Sequence, residues 1–388
     1  MINVLRLYCG KVSRSDQIRY ARHEGIGPVV AYNCTNRCNL WCVHCYSDAG
    51  QQGQELDTDQ AKALLAQLVQ ARCPVVLFSG GEPLLRPDIM DLLAYARSVG
   101  LQAAISTNGT LIDRTSAREL ARVGVHYVGV SIDGPEHIHD LFRRRPGSFR
   151  GAVGGIESCK AAGIRVGIRY TISVHNIEHI PFVFGLAKDL EVRRLCFYHL
   201  VVCGRACRED IPTPAQTRLA MDTILDNALA SADGLDEVLT VGNHADGPYL
   251  LLCMAREGHP NLKMAWACLK AAGGNRSGIG IACVGPDGNV FADQFWRNYS
   301  LGNVMERPFA QIWHDEGNHV LRLIRQKDMS ADPRCLGCCW FEICKGNARF
   351  RGPDPALANW VNEPACYLSD QQIHQGQIPS PAWDASSE

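Results

Sequence analysis

The stretch that decides the reading is Val29-Val30-Ala31-Tyr32-Asn33-Cys34, followed three residues later by Cys38-Asn39-Leu40-Trp41-Cys42-Val43-His44-Cys45. The first part is a short apolar, β-branched run and predicts a buried strand. The second part is a loop carrying three cysteines as C-x3-C-x2-C. Three thiolates on one loop can ligate three irons of a [4Fe–4S] cube and leave the fourth iron open. Zinc, with His44 as fourth ligand, is the competing reading. Because His44 directly precedes Cys45, tetrahedral ligation by both is strained. Cys34 makes another C-x3-C with Cys38, but nothing completes a triplet from it, and its place at the strand end marks it as structural.

The run at 29–34 is the first of six. The others fall at 75–79, 102–106, 127–132, 165–171 and 195–200, with helically periodic segments between them. The clearest helix opens at Asp57 with Gln60 as a capping-box partner, and presents Ala61, Leu64, Leu65, Leu68 and Val69 on one face. Ser148 is read as the cap of another. Strand and helix alternating at this spacing predict an α/β fold with a parallel sheet and right-handed crossovers. Six units are too few for a closed eight-fold barrel, so the expectation is a partial (β/α)6 barrel, open on one side. Residues 216–270 read as mostly helical, interrupted at 242–247. The runs at 278–284 and 289–292, joined by Pro286-Asp287-Gly288-Asn289, read as a hairpin. The chain divides into an N-terminal segment (1–27), the barrel (28–215), a bridging region with the hairpin (216–325) and a Cys-rich end (326–388). The tail beyond Gln375 is expected to fray.

The 388 residues carry a net charge of −1, which gives no reason to propose nucleic acid or a membrane surface as partner. Arg6, Lys11, Arg14 and Arg19 interrupt the N-terminus, and no apolar run approaches a membrane span. A soluble, cytoplasmic protein is expected. Eighteen cysteines are too many for an ordinary enzyme of that compartment. Bunched at short spacing without a signal peptide, they suggest metal or iron–sulfur ligands rather than disulfides. The second bunch reads Cys335-x2-Cys338-x5-Cys344, then Cys366 after a gap. Four thiolates can coordinate a [4Fe–4S] cluster completely, and they also suit zinc. Cys339 is a spare; the spacing favours Cys338. The scattered cysteines are read as buried structural thiols.

With the triplet in place after the first strand, the chain resembles the radical S-adenosylmethionine (SAM) superfamily. Gly80-Gly81-Glu82-Pro83 follows the second strand and is similar to that family's SAM-amine motif, in which backbone carbonyls and Glu82 would accept from the methionine ammonium. Ser106-Thr107-Asn108-Gly109 ends the third strand, and Ser131-Ile132-Asp133-Gly134 the fourth. The resemblance implies that Ser106, Asn108, Ser131 and Asp133 contact the ribose and carboxylate of SAM. It places Arg169 at the SAM carboxylate and His44 where an aromatic faces the adenine. The C-terminal cysteines resemble the SPASM extension of radical SAM maturases, with two departures. Ala348 and Asp293 stand where that pattern expects cysteine. Both missing ligands belong to one cluster, which implies the one-cluster Twitch arrangement held by Cys335, Cys338, Cys344 and Cys366. The implied cofactors are therefore SAM and two [4Fe–4S] clusters, one SAM-binding and one auxiliary.

Further wording narrows the resemblance: Leu7-Tyr8-Cys9-Gly10, Asn243-His244-Ala245-Asp246-Gly247, Gly273-Gly274-Asn275, Ala292-Asp293-Gln294-Phe295-Trp296, Gly302-Asn303-Val304 and Pro364-Ala365-Cys366-Tyr367. These look like the radical SAM enzymes that modify didecarboxysiroheme. One branch, in alternative haem biosynthesis, converts 12,18-didecarboxysiroheme to iron-coproporphyrin III by replacing two acetate side chains with methyls. The other, in haem d1 biosynthesis, acts on propionates of the same tetrapyrrole. The Asn-His-Ala-Asp-Gly and Ala-Asp-Gln-Phe-Trp wording favours the first. The implied partners are an iron tetrapyrrole and a low-potential electron donor such as ferredoxin or flavodoxin.

An iron tetrapyrrole with several carboxylates asks for a broad cavity and cationic anchors. Arg143, Arg144, Arg145 and Arg205 are candidates, against the reading of a solvated face. His244 is a candidate ligand of the substrate iron or proton donor, or else a satisfied loop histidine. Asp293 is a candidate catalytic carboxylate. A peptide-modifying maturase shares the barrel and the C-terminal cysteines, but the roughly 27 residues before the first strand leave little room for a leader-binding domain. A non-catalytic electron-transfer or zinc-scaffold protein is the reading from outside enzymes.

Overall fold

The computed structural model describes residues 1–13, 16, 20, 25–50, 53–326, 333–347 and 365–374. Arg14, Arg19, Ala348, Pro364 and the tail from Gln375 lie outside the described residues. One sheet organises the rest. Its strands are β1 (Ile2–Asn3), β2 (Val29–Asn33), β3 (Val75–Ser79), β4 (Gln102–Thr107), β5 (Tyr127–Ser131), β6 (Val166–Ile172), β7 (Arg194–His199), β8 (Glu237–Val241), β9 (Ile281–Val284), β10 (Asn289–Phe291) and β11 (Gly302–Asn303). Their spatial order is β1-β8-β7-β6-β5-β4-β3-β2-β9-β10-β11. Each pair from β2 to β8 is parallel, as expected where helices cross over between strands.

The strands keep the period of two. Val76, Phe78, Ile105, Val128, Val130, Ile168, Leu195 and Phe197 are buried on the face packed under the helices. Their neighbours Leu77, Ser106, Ser131, Arg169 and Tyr198 face the barrel interior and line its cavity. The helix Thr58–Gln70 starts as the sequence predicts. Asp57 accepts from the Gln60 amide at 2.9 Å, and Gln60 accepts from the Asp57 amide at 3.0 Å. Ala61, Leu64, Leu65 and Leu68 are fully buried, each leucine contributing about 1.5–3 kcal/mol, whereas Val69 is exposed.

Two expectations change, and a third holds with an addition. Ser148 does not cap its helix. Gly147, in the left-handed region at φ 81°, holds that place, and Asp140 accepts from the Gly147 and Phe149 amides and the Ser148 hydroxyl. The 216–270 region is not uniformly helical, because β8 lies inside it, between the helices Pro214–Ala230 and Asp246–Arg256, and adds a seventh parallel strand beside β7. The hairpin β9–β10 forms where expected, but it is not a separate unit. β9 pairs in parallel with β2, so the sheet continues from the barrel into the extension. No helix among the described residues is long and apolar enough to cross a membrane.

Candidate functional site

Cys38, Cys42 and Cys45 line a cavity above the C-terminal ends of the barrel strands, with an empty volume of about 1070 Å³ counting its open mouth. The cysteine loop has no regular structure of its own, so side chains and backbone from other elements hold it. The Arg205 guanidinium donates to the Cys42 carbonyl at 2.9 Å, to Asp48 at 2.9 Å and to the Ala49 carbonyl at 2.7 Å. It also lies over the Trp41 ring at 4.3 Å. The Val43 amide donates to the Phe142 carbonyl at 2.9 Å. Arg143 reaches the Cys42 thiol at 3.5 Å. Burial pushes the Cys38 thiol up to about 12 and raises that of Cys42 against the opposing pull of Arg143. Thiols that resist ionisation in a dry pocket become thiolates when a metal binds.

Among the described residues, no three His, Cys, Asp or Glu groups converge closely enough to hold one metal ion. Cys38, Cys42 and Cys45 are instead spread around a shared cavity, which suits a cluster that takes one iron per thiolate. Cys34 does not face this cavity. It is fully buried at the end of β2 with its thiol toward the Ser79 carbonyl at 3.4 Å.

The Gly80-Gly81-Glu82-Pro83 turn is wedged against the same loop. The Gly81 amide donates to the Thr35 carbonyl and the Glu82 amide to the Arg37 carbonyl, at 2.8 and 2.7 Å. A Cβ on Gly81 would stand 2.1 Å from the Arg37 oxygen, so only glycine fits. Gly80 and Gly81 line the cavity; Glu82 does not. Its fully buried carboxylate accepts from the Thr107 hydroxyl and the Asn108 amide at 2.8 Å each and from the Leu84 amide at 3.2 Å. Glu82 therefore braces β3 to β4 and positions Asn108. Asn108, which does line the cavity, donates to Asn39 of the cysteine loop at 2.9 Å.

Ser106, Ser131 and Arg169 reach the cavity as expected. Arg169 donates to Ser106 at 2.7 Å and lies about 6 Å from the rings of Tyr127 and Tyr198. Asp133 stays behind the wall, fully buried, 2.5 Å from Arg143 and 3.7 Å from His44. Burial opposes its ionisation, but Arg143 and His44 outweigh burial and hold its carboxyl below the ordinary value. His44 lines the cavity with its ring tilted against Phe142, and burial lowers its pKa to about 4. The arginine run is divided: Arg143 is buried in this network, while Arg144 and Arg145 are exposed.

His244 and Asp293 are not in the cavity lining. The His244 amide donates to Asn347 at 2.7 Å, beside the C-terminal cysteines. Asp293 is fully buried and accepts from the Phe295 and Trp296 amides and the Ser277 hydroxyl, so it caps a turn. That turn delivers Gln294 and Phe295 to the cavity. Sequence reasoning missed these two residues, and it missed His199. His199 ends β7, lines the cavity, and shares a 2.9 Å hydrogen bond with buried Asp246. Asp246 lies in the Asn243-His244-Ala245-Asp246-Gly247 stretch quoted above, whereas the sequence around His199 carries no comparable signal.

Cys335, Cys338, Cys344 and Cys366 are each partly buried. Burial pushes the Cys338 thiol up to about 11, with Cys366 among the groups acting on it. Cys339 also acts on the Cys338 thiol; it is the exposed one of the group, with its thiol 3.6 Å from the Gln372 carbonyl.

A parallel partial barrel with a thiol triplet after its first full strand, and a glycine turn after the next, defines the class. Residues 32–184 match the radical SAM superfamily, and residues 277–339 match SPASM, an iron–sulfur cluster-binding domain. The chain belongs to the radical SAM superfamily, and its cofactors are SAM, the SAM-binding [4Fe–4S] cluster and an auxiliary cluster. It is 43% identical to Fe-coproporphyrin III synthase of Methanosarcina barkeri, over 96% of this chain and 99% of that one. It is 38% identical to pre-heme d1 synthase of Dinoroseobacter shibae, over 88% of this chain and 86% of that one. The fold is that of Streptococcus suis SuiB bound to precursor peptide SuiA, at TM-score 0.70 and 16% identity, covering 85% of this chain and 74% of that one.

Proposed function

We propose that this enzyme converts 12,18-didecarboxysiroheme to iron-coproporphyrin III, removing two acetate side chains in alternative haem biosynthesis. The observation that carries this reading is the 43% identity that runs the full length of Fe-coproporphyrin III synthase, barrel and extension together. In this reading Cys38, Cys42 and Cys45 hold the SAM-binding cluster, and Cys335, Cys338, Cys344 and Cys366 the auxiliary one. The Gly80 and Gly81 backbone, Ser106, Asn108, Ser131, Arg169 and His44 face SAM, while Glu82 and Asp133 hold that wall from behind. Bound there, SAM supplies a 5′-deoxyadenosyl radical able to abstract hydrogen from a substrate side chain. The chain's part is to exclude water and fix the target carbon, and a cavity lined by Gln294 and Phe295 as well as by the barrel suits that part. A ferredoxin or flavodoxin would supply the electron. A reducing cytoplasm suits this reading, because it keeps clustered cysteines available as cluster ligands.

Anaerobic incubation with didecarboxysiroheme, SAM and reductant, followed by mass spectrometry of the tetrapyrrole, tests the reading. Loss of two acetate side chains is expected. Change at the propionates would instead place the chain with pre-heme d1 synthase, and an unaltered tetrapyrrole would overturn the proposal.

A further inference from the structure

His199 is the last residue of β7, and its imidazole lines the barrel cavity. Its Nε2 lies 2.9 Å from Asp246 Oδ2. Asp246 is fully buried, and its other oxygen accepts from the Tyr367 hydroxyl at 2.8 Å. Burying a carboxylate is costly unless its oxygens are satisfied. Here two donors satisfy them, and Asp246 opens the helix Asp246–Arg256, where the helix dipole favours negative charge. Nε2 is therefore the protonated nitrogen and Nδ1 carries the lone pair. No hydrogen-bond partner for Nδ1 is found among the described residues.

A carboxylate fixing the tautomer of a cavity histidine is the arrangement that recurs behind histidine metal ligands. One histidine cannot hold a free ion, and no other His, Cys, Asp or Glu among the described residues joins it in a group able to do so. One histidine does suffice for an iron that arrives with four equatorial nitrogens of its own. Position agrees with this. The glycine turn and Asn108 follow β3 and β4, whereas His199 ends β7, with β5 and β6 between. Arg169, placed at SAM above, lies on β6 beside β7, so the imidazole stands in the shared cavity one strand beyond the last residue placed at SAM. We propose that His199, oriented by Asp246 and Tyr367, is the protein ligand to the iron of the tetrapyrrole. This rests on the tetrapyrrole reading above and assigns the metal contact within it.

The test uses the anaerobically reconstituted full chain carrying 15N-labelled histidine, with ferric iron-coproporphyrin III as probe and metal-free coproporphyrin III as control. Electron paramagnetic resonance of the bound iron should show histidine nitrogen coupling in the wild type. His199→Ala should abolish it, and added imidazole should restore an imidazole-ligated signal. Asp246→Asn should weaken binding of the iron form about tenfold and leave the metal-free form unaffected. Iron probe bound without histidine coupling in the wild type, or coupling that survives in His199→Ala, would overturn the assignment and leave the tetrapyrrole reading standing. Failure of the wild type to bind either porphyrin would overturn both. His44 also lines the cavity, so if His199→Ala fails to fold, His199→Gln and His44→Gln in the same measurement decide: coupling lost only in the first supports the assignment, and coupling lost only in the second overturns it.

Discussion

Glu82 shows how a motif residue can act one layer behind the site it marks. Its two oxygens accept from Thr107 and Asn108 at the end of β4 and from the Leu84 amide of its own turn, and the carboxylate itself does not line the cavity. Glu82→Gln would set an amide donor against the Thr107 and Asn108 donors. About 1–3 kcal/mol of stability should be lost, together with affinity for SAM, since Asn108 would move. Thermal unfolding and SAM titration of the same sample check whether the two losses occur together; full affinity in a destabilised protein would show that Asn108 had not shifted. Cys34 and Cys38 give the complementary comparison. Cys34→Ala removes a buried thiol from the core and should cost about 1 kcal/mol, like the loss of one methyl group, with iron content unchanged. Cys38→Ala should lose the barrel cluster, and iron and sulfide analysis separates the two variants. The triplet was legible because three ligands on one short loop are a local pattern. Arg143 was not recognisable as the partner of both Asp133 and Cys42, because that role depends on which residues β5 and the cysteine loop bring opposite each other.

At the scale of elements, the six apolar runs lie where strands form, because a buried parallel strand is a continuous apolar run bounded by turns. β8 is weakly marked in the sequence because Glu-Val-Leu-Thr-Val is short, starts charged, and sits between two helices. The pairing of β9 with β2 is unmarked for another reason: hairpin signals specify the turn, not the neighbour across the sheet. The segment after β8 has the same character. Asn243 donates to the Ala365 carbonyl at 2.7 Å and accepts from Asn347 at 2.8 Å, tying the barrel to residues beside Cys344 and Cys366. Gly274 completes the joint. Its φ is +72°, and a Cβ there would lie 2.1 Å from the Cys344 carbonyl oxygen. Gly274→Ala should therefore displace Cys344, and iron should fall from about eight to about four per chain. Retained 5′-deoxyadenosine formation from SAM would locate the loss in the extension; eight irons would mean that the joint yields without consequence for ligation.

Over the whole molecule the two metal regions are parts of one body. The sheet runs unbroken from β8 through the barrel to β11, and the extension's own turn places Gln294 and Phe295 in the barrel cavity. On the opposite side, Cys366 is followed by Tyr367, which reaches Asp246, and Asp246 reaches His199 in the cavity. Hydrogen bonds thus connect the cavity wall to the segment that carries Cys366. If the C-terminal cysteines only stapled the fold, losing one would lower stability and activity in proportion. Direct coupling to substrate chemistry predicts something different. Cys344 lies outside the cavity lining, so Cys344→Ala should leave SAM cleavage intact and stop conversion of the tetrapyrrole. The measurement is paired: 5′-deoxyadenosine and tetrapyrrole product from one anaerobic reaction, with thermal unfolding of the same sample. Cleavage retained with product absent supports the coupling. Unchanged turnover would reduce the auxiliary site to scaffolding, and parallel loss of both products with folding would assign Cys344 to stability.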